Sequence, residues 1–433
     1  MRIKVRVLAG TAIAAILMAG SGAAETLDDA VAAAITSNPQ LDAQRVQTEI
    51  ARETLEQARA GGRTTVSVGG SAGYTYTDTN SPFSLSNGDS QSVAAQVQAT
   101  KPIYTGGRIA AGVRQATAGI NAADAQYDAA EQDLILQVIT AYMDLRRDRE
   151  TVSIRQNNVE VANEQERAAK DRFEVGVVTR TDVSLSTANL EGAKAALASA
   201  ESALEASIAN YTYLTGLVPA DLAPPPPVPT LPASLEEATT FALDNNPDMI
   251  AARHNERAAS EAIEAAKAQG RPSVSLVGTA QVQESYYSAR DINNQSVSGV
   301  IQGSVPIVTG GMVKSQTRAA RLKRDQARRQ IDLLDRSIRA KVASAWFGYD
   351  ATLRAIDASK RQVDAAEIAY DGAKEELAVG VRTTLDVLDQ EQQLFEARLS
   401  LVQAERNAYV AAHQLLRATG QLRRPVALDA ETR

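Results

Sequence analysis

The sequence predicts an α+β membrane protein built from two internal repeats, each supplying a pair of β-strands and a very long helical hairpin, so that one chain carries four strands. Three observations lead there. The segment Pro102-Ile103-Tyr104-Thr105-Gly106-Gly107 returns 204 positions later as Pro306-Ile307-Val308-Thr309-Gly310-Gly311. In both copies an alternating apolar and polar run precedes the segment, and a long helical pattern without proline follows it. Past residue 24 no apolar run reaches the length of about 20 residues that a membrane helix needs, so the mature protein is expected to be either soluble outside the cytoplasm or inserted as β-structure. Gly106, Gly107, Gly310 and Gly311 suit a strand-to-helix hinge, since glycine tolerates positive φ and close backbone approach. The proline falls at the strand end, where a missing donor does least harm.

Composition narrows the class further. Aromatics are only 4% of the 433 residues, and the Ala-rich, charge-rich remainder suits long helices better than compact globules. The start reads as a secretory signal: Arg2, Lys4 and Arg6, an apolar run from Val7 to Ala19, then Gly22-Ala23-Ala24 before Glu25, with cleavage expected after Ala24. An uncleaved anchor would need a longer apolar run. The absence of cysteine fits an oxidising compartment and excludes both a disulfide scaffold and thiolate chemistry. Removing the three basic residues of the signal takes the formal charge from −7 to −10, which argues against nucleic acid as a partner.

In chain order, Leu27 to Ser37 has helical apolar spacing and stops at Asn38-Pro39, as Leu235 to Asn245 stops at Asn246-Pro247. Asn before Pro ends one helix and starts the next, because proline disfavours helix in the residue before it and suits a first turn. Second helices follow, over about Pro39 to Ala60 and Pro247 to Gln269. Next come the candidate strands. Val66, Val68, Gly70, Ala72, Tyr74 and Tyr76 share one face and return as Val93, Ala95, Val97 and Ala99. The second copy gives Val274, Leu276, Gly278, Ala280 and Val282, then Val297, Gly299, Ile301, Gly303 and Val305. Each pair reads as a hairpin, closed near Asp78 to Ser90 in the first copy and near Ser288 to Asn293 in the second.

Two readings compete for these strands. A half-buried soluble sheet would alternate in the same way. A membrane barrel is favoured by strand lengths of roughly 10 to 13 residues, by opposite faces of Ser, Thr and Gln, and by tyrosines gathered near one end (Tyr74, Tyr76, Tyr286 and Tyr287). Four strands cannot close a barrel, for which about eight is the practical minimum, and an open edge in lipid leaves backbone groups unsatisfied. A barrel must therefore be shared between chains. Two chains would give an interior filled by side chains, whereas three would give twelve strands and leave room for a pore.

Long helices follow each hinge, from Arg108 to about Phe173 and from Met312 to about Leu377, with return helices from about Thr181 to Leu214 and from Thr384 to Ala418. At 1.5 Å per residue the longer ones reach on the order of 100 Å. Nothing so long is expected to build a core within one chain; the heptad-like stripes ask for neighbouring helices from the same and other chains. The expected organisation is a signal peptide at 1–24, a first repeat at 25–216 (strands about 64–103, helical hairpin about 108–215), a Pro-rich extended linker at 217–233, a second repeat at 234–420 (strands about 272–307, helical hairpin about 312–419) and a short tail at 421–433.

No ligand-spaced Cys, His or Glu set, phosphate loop or nucleophile elbow is present, so neither an enzyme nor a cofactor or metal site is expected. His254, His413 and Trp346 read as structural residues. Arg318, Arg321, Lys323, Arg324, Arg328 and Arg329, interleaved with Asp325 and Asp332, read as a solvated helix face, with a lumen-facing basic ring as the sharper alternative. The most informative polar residues lie at the hairpin tips, Val175-Gly176-Val177 to Thr181-Asp182-Val183 and Val379-Gly380-Val381-Arg382 to Asp386-Val387-Leu388-Asp389. A capping threonine and an aspartate at the helix start account for Asp182 and Asp386 in part. They do not account for Arg382 or Asp389, where the first copy has Val178 and Leu185. Asp386 and Asp389 share a helix face.

The paired helices ending in Asn-Pro, the Gly-Gly hinges and the Val-Gly, Thr and Asp-Val tips resemble the TolC family of outer-membrane efflux and type I secretion channels, over Leu27 to Gly420. The resemblance implies a homotrimer in the outer membrane of a Gram-negative bacterium, in contact with outer-membrane lipid. Its twelve-stranded transmembrane β-barrel would continue into a twelve-helix periplasmic α-barrel that tapers to a gated mouth. There a periplasmic adaptor (membrane fusion) protein and an inner-membrane pump or ABC transporter would dock. It further implies that Asp386 and Asp389 form a cation-selective constriction and that Arg382 pairs with Thr181 and Asp182 of a neighbouring hairpin to hold the mouth shut. A tyrosine of the family's gate falls at Leu377. A soluble periplasmic helical-hairpin adaptor or scaffold, and an adhesion stalk, are the alternatives.

Overall fold

The computed structural model describes residues 24–78, 88–287 and 290–423. The expected signal peptide up to Ala23, most of the first hairpin loop and the tail beyond Arg423 lie outside the described residues.

Eight helices and four strands form the described chain: α1 (Leu27–Ser37), α2 (Pro39–Ala60), β1 (Thr65–Thr77), β2 (Gly88–Tyr104), α3 (Arg108–Glu174), α4 (Arg180–Thr215), α5 (Leu235–Asn245), α6 (Pro247–Ala268), β3 (Ser273–Tyr287), β4 (Arg290–Ser304), α7 (Met312–Ala378) and α8 (Thr384–Thr419). The two halves repeat in length as well as in order, with α3 and α7 each 67 residues and α4 and α8 each 36.

The repeated Asn-Pro does more than stop a helix. Asn38 accepts from Gln40 N through its side-chain oxygen, capping α2, while its Nδ2 donates to Leu214 O at 3.2 Å. Asn246 likewise accepts from Asp248 N and donates to Ala418 O at 3.0 Å. One side chain thus caps the start of a helix and satisfies an orphan carbonyl at the end of another, locking the short helices to the ends of α4 and α8. Those ends turn at Gly216 and Gly420, both left-handed.

The expectation that helices of this length build no core within one chain is wrong for α3. Its middle packs with α1, α4 and α8 around Leu134, Val138, Tyr142, Leu145, Tyr211 and Val410. It succeeds there because α3 is flanked by α2, α4, α6 and α8 together. The Pro-rich linker is strapped across this core. Tyr142 Oη donates to Ala223 O at 2.7 Å, Arg146 Nη1 reaches the same carbonyl at 2.8 Å, and Arg149 Nη2 reaches Ala220 O at 2.9 Å. Tyr211 Oη donates to Glu25 Oε1 at 2.6 Å, and burial together with that carboxylate pushes its hydroxyl pKa far up.

The strands form one antiparallel sheet in the order β1-β2-β3-β4, so β1 and β4 are both open edges. They run 13, 17, 15 and 15 residues, longer than alternation alone indicates. The second hairpin is also tighter than expected. β4 begins at Arg290, and Asp291 and Asn293 are paired with Tyr286 and Glu284, because polar residues at the strand end keep the ladder while hiding the alternation. At the first hinge β2 runs through Pro102 to Tyr104 with a register shift between them, as a proline within a central strand requires. At the second hinge the edge strand β4 stops at Ser304, before Pro306.

Candidate functional site

The sheet is inside out by the standards of a soluble protein. Val68, Val97, Ala280 and Val297 line up across the four strands on one face. Ser67, Gln98, Thr279 and Ser298 line up on the other, where Thr279 Oγ1 and Ser298 Oγ lie 2.6 Å apart. Along β2 the apolar Val93 and Val97 are exposed while Ser92, Gln96 and Gln98 are half-buried. A row of valines that water would reach on a soluble sheet is what a lipid-facing wall presents. The tyrosines gather at one rim: Tyr74 and Tyr286 both flank Gln91, and Tyr76 faces Asp89.

At the opposite end of the strands the hinge glycines take the left-handed conformation, with φ of 62° and 89° at Gly106 and Gly107 and of 57° and 83° at Gly310 and Gly311. The two hinges are packed differently. A Cβ on Gly106 would lie 2.6 Å from Arg271 Cβ, whose guanidinium also holds Gly106 O at 3.0 Å. Around Gly310 there is open space.

At the hairpin tips each long helix ends at a left-handed glycine, Gly176 with φ 76° and Gly380 with φ 78°. The next helix opens with a capping box. Asp182 Oδ2 accepts from Thr179 N and Oγ1, both at 2.8 Å, and Asp386 Oδ2 accepts from Thr383 N at 3.0 Å and Oγ1 at 2.7 Å. These bonds hold both carboxyls below the ordinary aspartate range. Asp389 is exposed three residues further on, free of any capping role. Thr181 is exposed and Asp182 half-buried. Arg382 pairs with Glu376 of its own hairpin. Leu377, where the resemblance puts a tyrosine, is half-buried, and its carbonyl accepts from Gly380 N at 3.0 Å.

Sequence reasoning passed over Glu391 and Gln165. Glu391 is 2% exposed in α8 and accepts from Gln165 Nε2 of α3 at 2.6 Å. The available signal was its spacing, since Leu388, Glu391, Leu394 and Phe395 step along one buried stripe. His413 is a packed core residue, its Nδ1 2.8 Å from Tyr409 O, with burial lowering its pKa. Trp346 packs in the cluster of α5 and α7. Of the six clustered basic residues of α7, three are in ion pairs: Arg324 with Asp325, Arg328 with Glu256 and Arg329 with Asp332. Among the described residues no helix is long and apolar enough to cross a membrane.

An inside-out sheet with two open edges, running through paired hinges into helical hairpins about 100 Å long, defines a wall segment of an outer-membrane channel. The chain belongs to the outer membrane efflux protein family, whose model matches residues 30–217 and 240–421. It is 34% identical to the outer membrane efflux protein BepC of Brucella suis over 67% of this chain, a match spanning 64% of that protein. It is 28% identical to the outer membrane protein TolC of Escherichia coli over 92% of this chain and 83% of that one. Among solved structures, a membrane protein from Pseudomonas aeruginosa superposes with a TM-score of 0.81 at 20% identity, covering 91% of this chain and 90% of that one. The protein is placed in the outer membrane and reaches into the periplasm, and its fold class is a barrel wall shared between chains that continues into a wall of long helices.

Proposed function

We propose that three copies of the chain form a passive, gated exit duct that carries small molecules or proteins out through the periplasm and outer membrane, driven by an inner-membrane pump or ABC transporter joined through a periplasmic adaptor protein. The observation that carries this reading is the sheet: its exposed valine rows and two unpaired edges leave it stable only in lipid and only when neighbours supply the missing partners. Three chains give twelve strands, enough for an open lumen. Energy enters from the partners, and the duct does no chemistry of its own.

The tips are the proposed gate. Asp386 and Asp389, stacked on one face of α8, would form two rings of carboxylates under threefold symmetry, selecting cations and binding multivalent ones. Arg382 is poised to exchange its Glu376 partner for Thr181 and Asp182 of a neighbouring hairpin, a lock built without the tyrosine that Leu377 replaces. The test is conductance in planar bilayers. Arg382→Ser is expected to raise single-channel conductance, and Asp386→Ala with Asp389→Ala to reduce cation preference and divalent block. Wild-type selectivity in the double variant would remove the carboxylate rings from the reading, and absence of any conductance would remove the duct.

A further inference from the structure

Glu391 is an anomaly in the helical wall. It lies in α8 seven residues past its first residue, Thr384, about 10 Å from the tip by helical rise, and is buried against α3 of the preceding hairpin. Its Oε2 takes the amide hydrogen of Gln165, but its Oε1 has no partner, and neither has Oε1 of Gln165. Two orphaned buried acceptors on two hydrogen-bonded groups cost free energy as drawn. A single added proton satisfies both, since a neutral carboxyl and an amide can exchange two hydrogen bonds, Gln165 Nε2–H to Glu391 Oε2 and Glu391 Oε1–H to Gln165 Oε1.

The surroundings favour the neutral form. From α7, Lys374 is the cation whose field reaches Glu391, and Tyr370 lies beside Gln165 with its own hydroxyl pushed up to about 12 by burial and the nearby carboxyl. From α3, Arg155 and Asn158 line the adjoining cleft, from α4 no charged residue does, Asn189 being its polar one, and from α8 itself come Gln392 and Glu396; Glu164 of α3 and Asp371 of α7 are the further carboxylates felt at Tyr370. Burial outweighs Lys374 and the Gln165 bond, so the carboxyl sits above the ordinary glutamate value. The cleft, of about 320 Å³, is ample for water and gives protons a route.

We propose that Glu391 and Gln165 form a neutral carboxyl–amide clamp that ties the hairpin α7–α8 to α3–α4 near the mouth, and that loss of its proton loosens the gate. This rests on the gated-duct reading. The sign follows from linkage: the clamped state holds the proton more tightly than the open one, so clamping is fully favoured below the ordinary glutamate value of about 4.3 and weakens as pH rises through the higher value of the clamped state.

The test compares the wild-type trimer with Glu391→Gln, Glu391→Ala and Gln165→Leu in planar bilayers across pH. Wild type is expected to open as pH rises, the open-to-closed ratio changing up to about tenfold per pH unit within the window, as one linked proton allows. Glu391→Gln, which keeps a neutral paired amide, should stay closed with a flat profile, while the other two should be open throughout. If Glu391→Gln keeps the wild-type pH profile, the titration belongs to other groups and the clamp is overturned; the same holds if Glu391→Ala and Gln165→Leu both stay closed. Should Glu391→Ala fail to assemble, the other two variants decide. Infrared difference spectra between wild type and Glu391→Gln, taken as pH is raised from the ordinary glutamate value of about 4.3, read the proton directly. A carboxylate band in place of a protonated carboxyl rules the pair out, whereas a trimer that conducts no ions but shows the protonated band sinks the duct and leaves the pair standing.

Discussion

Helices α3 and α7 occupy equivalent places in the two repeats and have the same length, yet one is a core helix and the other half of an interface. α3 buries twenty residues, among them Tyr142 and Leu145, whereas α7 buries four: Ile338, Val342, Ser359 and Ala373. The difference lies in their neighbours. α3 packs extensively against helices of both repeats, while α7 packs mainly against α5, α6 and α8 of its own repeat. Leu333, Phe347 and Ile368 of α7 are left 68%, 61% and 75% exposed. Since β4 is the open edge above α7 and β1 the open edge above α2, a copy joined at β4 would bring its first repeat against α7 and give that helix the company α3 already has. A duplicated unit placed at the end of an open row keeps its pattern and lacks its partner.

The sharpest way to break this contrast is to truncate matched apolar residues. Leu145→Ala is expected to cost about 3–5 kcal/mol and unfold the protomer, as loss of a fully buried leucine in a rigid core does. Phe347→Ala should leave the protomer's helicity intact and weaken the trimer, seen as monomer by analytical ultracentrifugation in detergent. Equal loss of helicity in both would mean α7 has a core that its exposure does not reveal.

A smaller effect separates the hinges. Gly106→Ala meets both a left-handed φ and a wall at Arg271, whereas Gly310→Ala meets the φ alone. The second should cost about 1–2 kcal/mol and the first clearly more, read from thermal melts of the assembled channel. Smaller again and equal between repeats, Asn38→Ala and Asn246→Ala should each lose about 1 kcal/mol through the helix cap, with the freed carbonyls of Leu214 and Ala418 adding to it. A marked inequality there would show that one repeat leans on its clamp more than the other.

The tips should show the least difference. Asp182 and Asp386 both have depressed values from their threonine bonds. Each therefore supports its helix start above the ordinary aspartate value of about 3.9 and ceases to as pH falls through the lower folded value. Amide exchange at residues 179–183 and 383–387 should rise together on acidification. A rise at one tip only would mean that the other is held by a contact outside its capping box.

Much of the scaffold was legible because punctuation is local. Asn38-Pro39, Gly216 and the threonine caps each act within a few residues, so α1 and α5 fall where spacing puts them, and the long helices within a residue or two of it. Strand ends were less legible. Pro102 looks like a terminator, but β2 passes through it by shifting register, since a central strand has partners on both sides to hold it. Asp386 and its cap could be read from spacing, whereas for Glu391 spacing gives only its place on an apolar stripe, and the Gln165 partner on α3 that makes it a paired buried carboxyl is a matter of packing.

From the order of its residues alone, the chain settles its duplication, its hinges, the two-faced strands and the lengths of its hairpins, all of which follow from backbone preferences and periodicity over short spans. Packing in space decided the rest: which long helix becomes a core and which stays half bare, that Asn38 and Asn246 each serve two helices, and that Arg382 turns to Glu376 while Glu391 turns to Gln165. Apart from the Arg382–Glu376 pair, which forms within one hairpin tip, those outcomes depend on which elements come to lie side by side across more than a hundred positions of chain, and residue spacing carries no record of that.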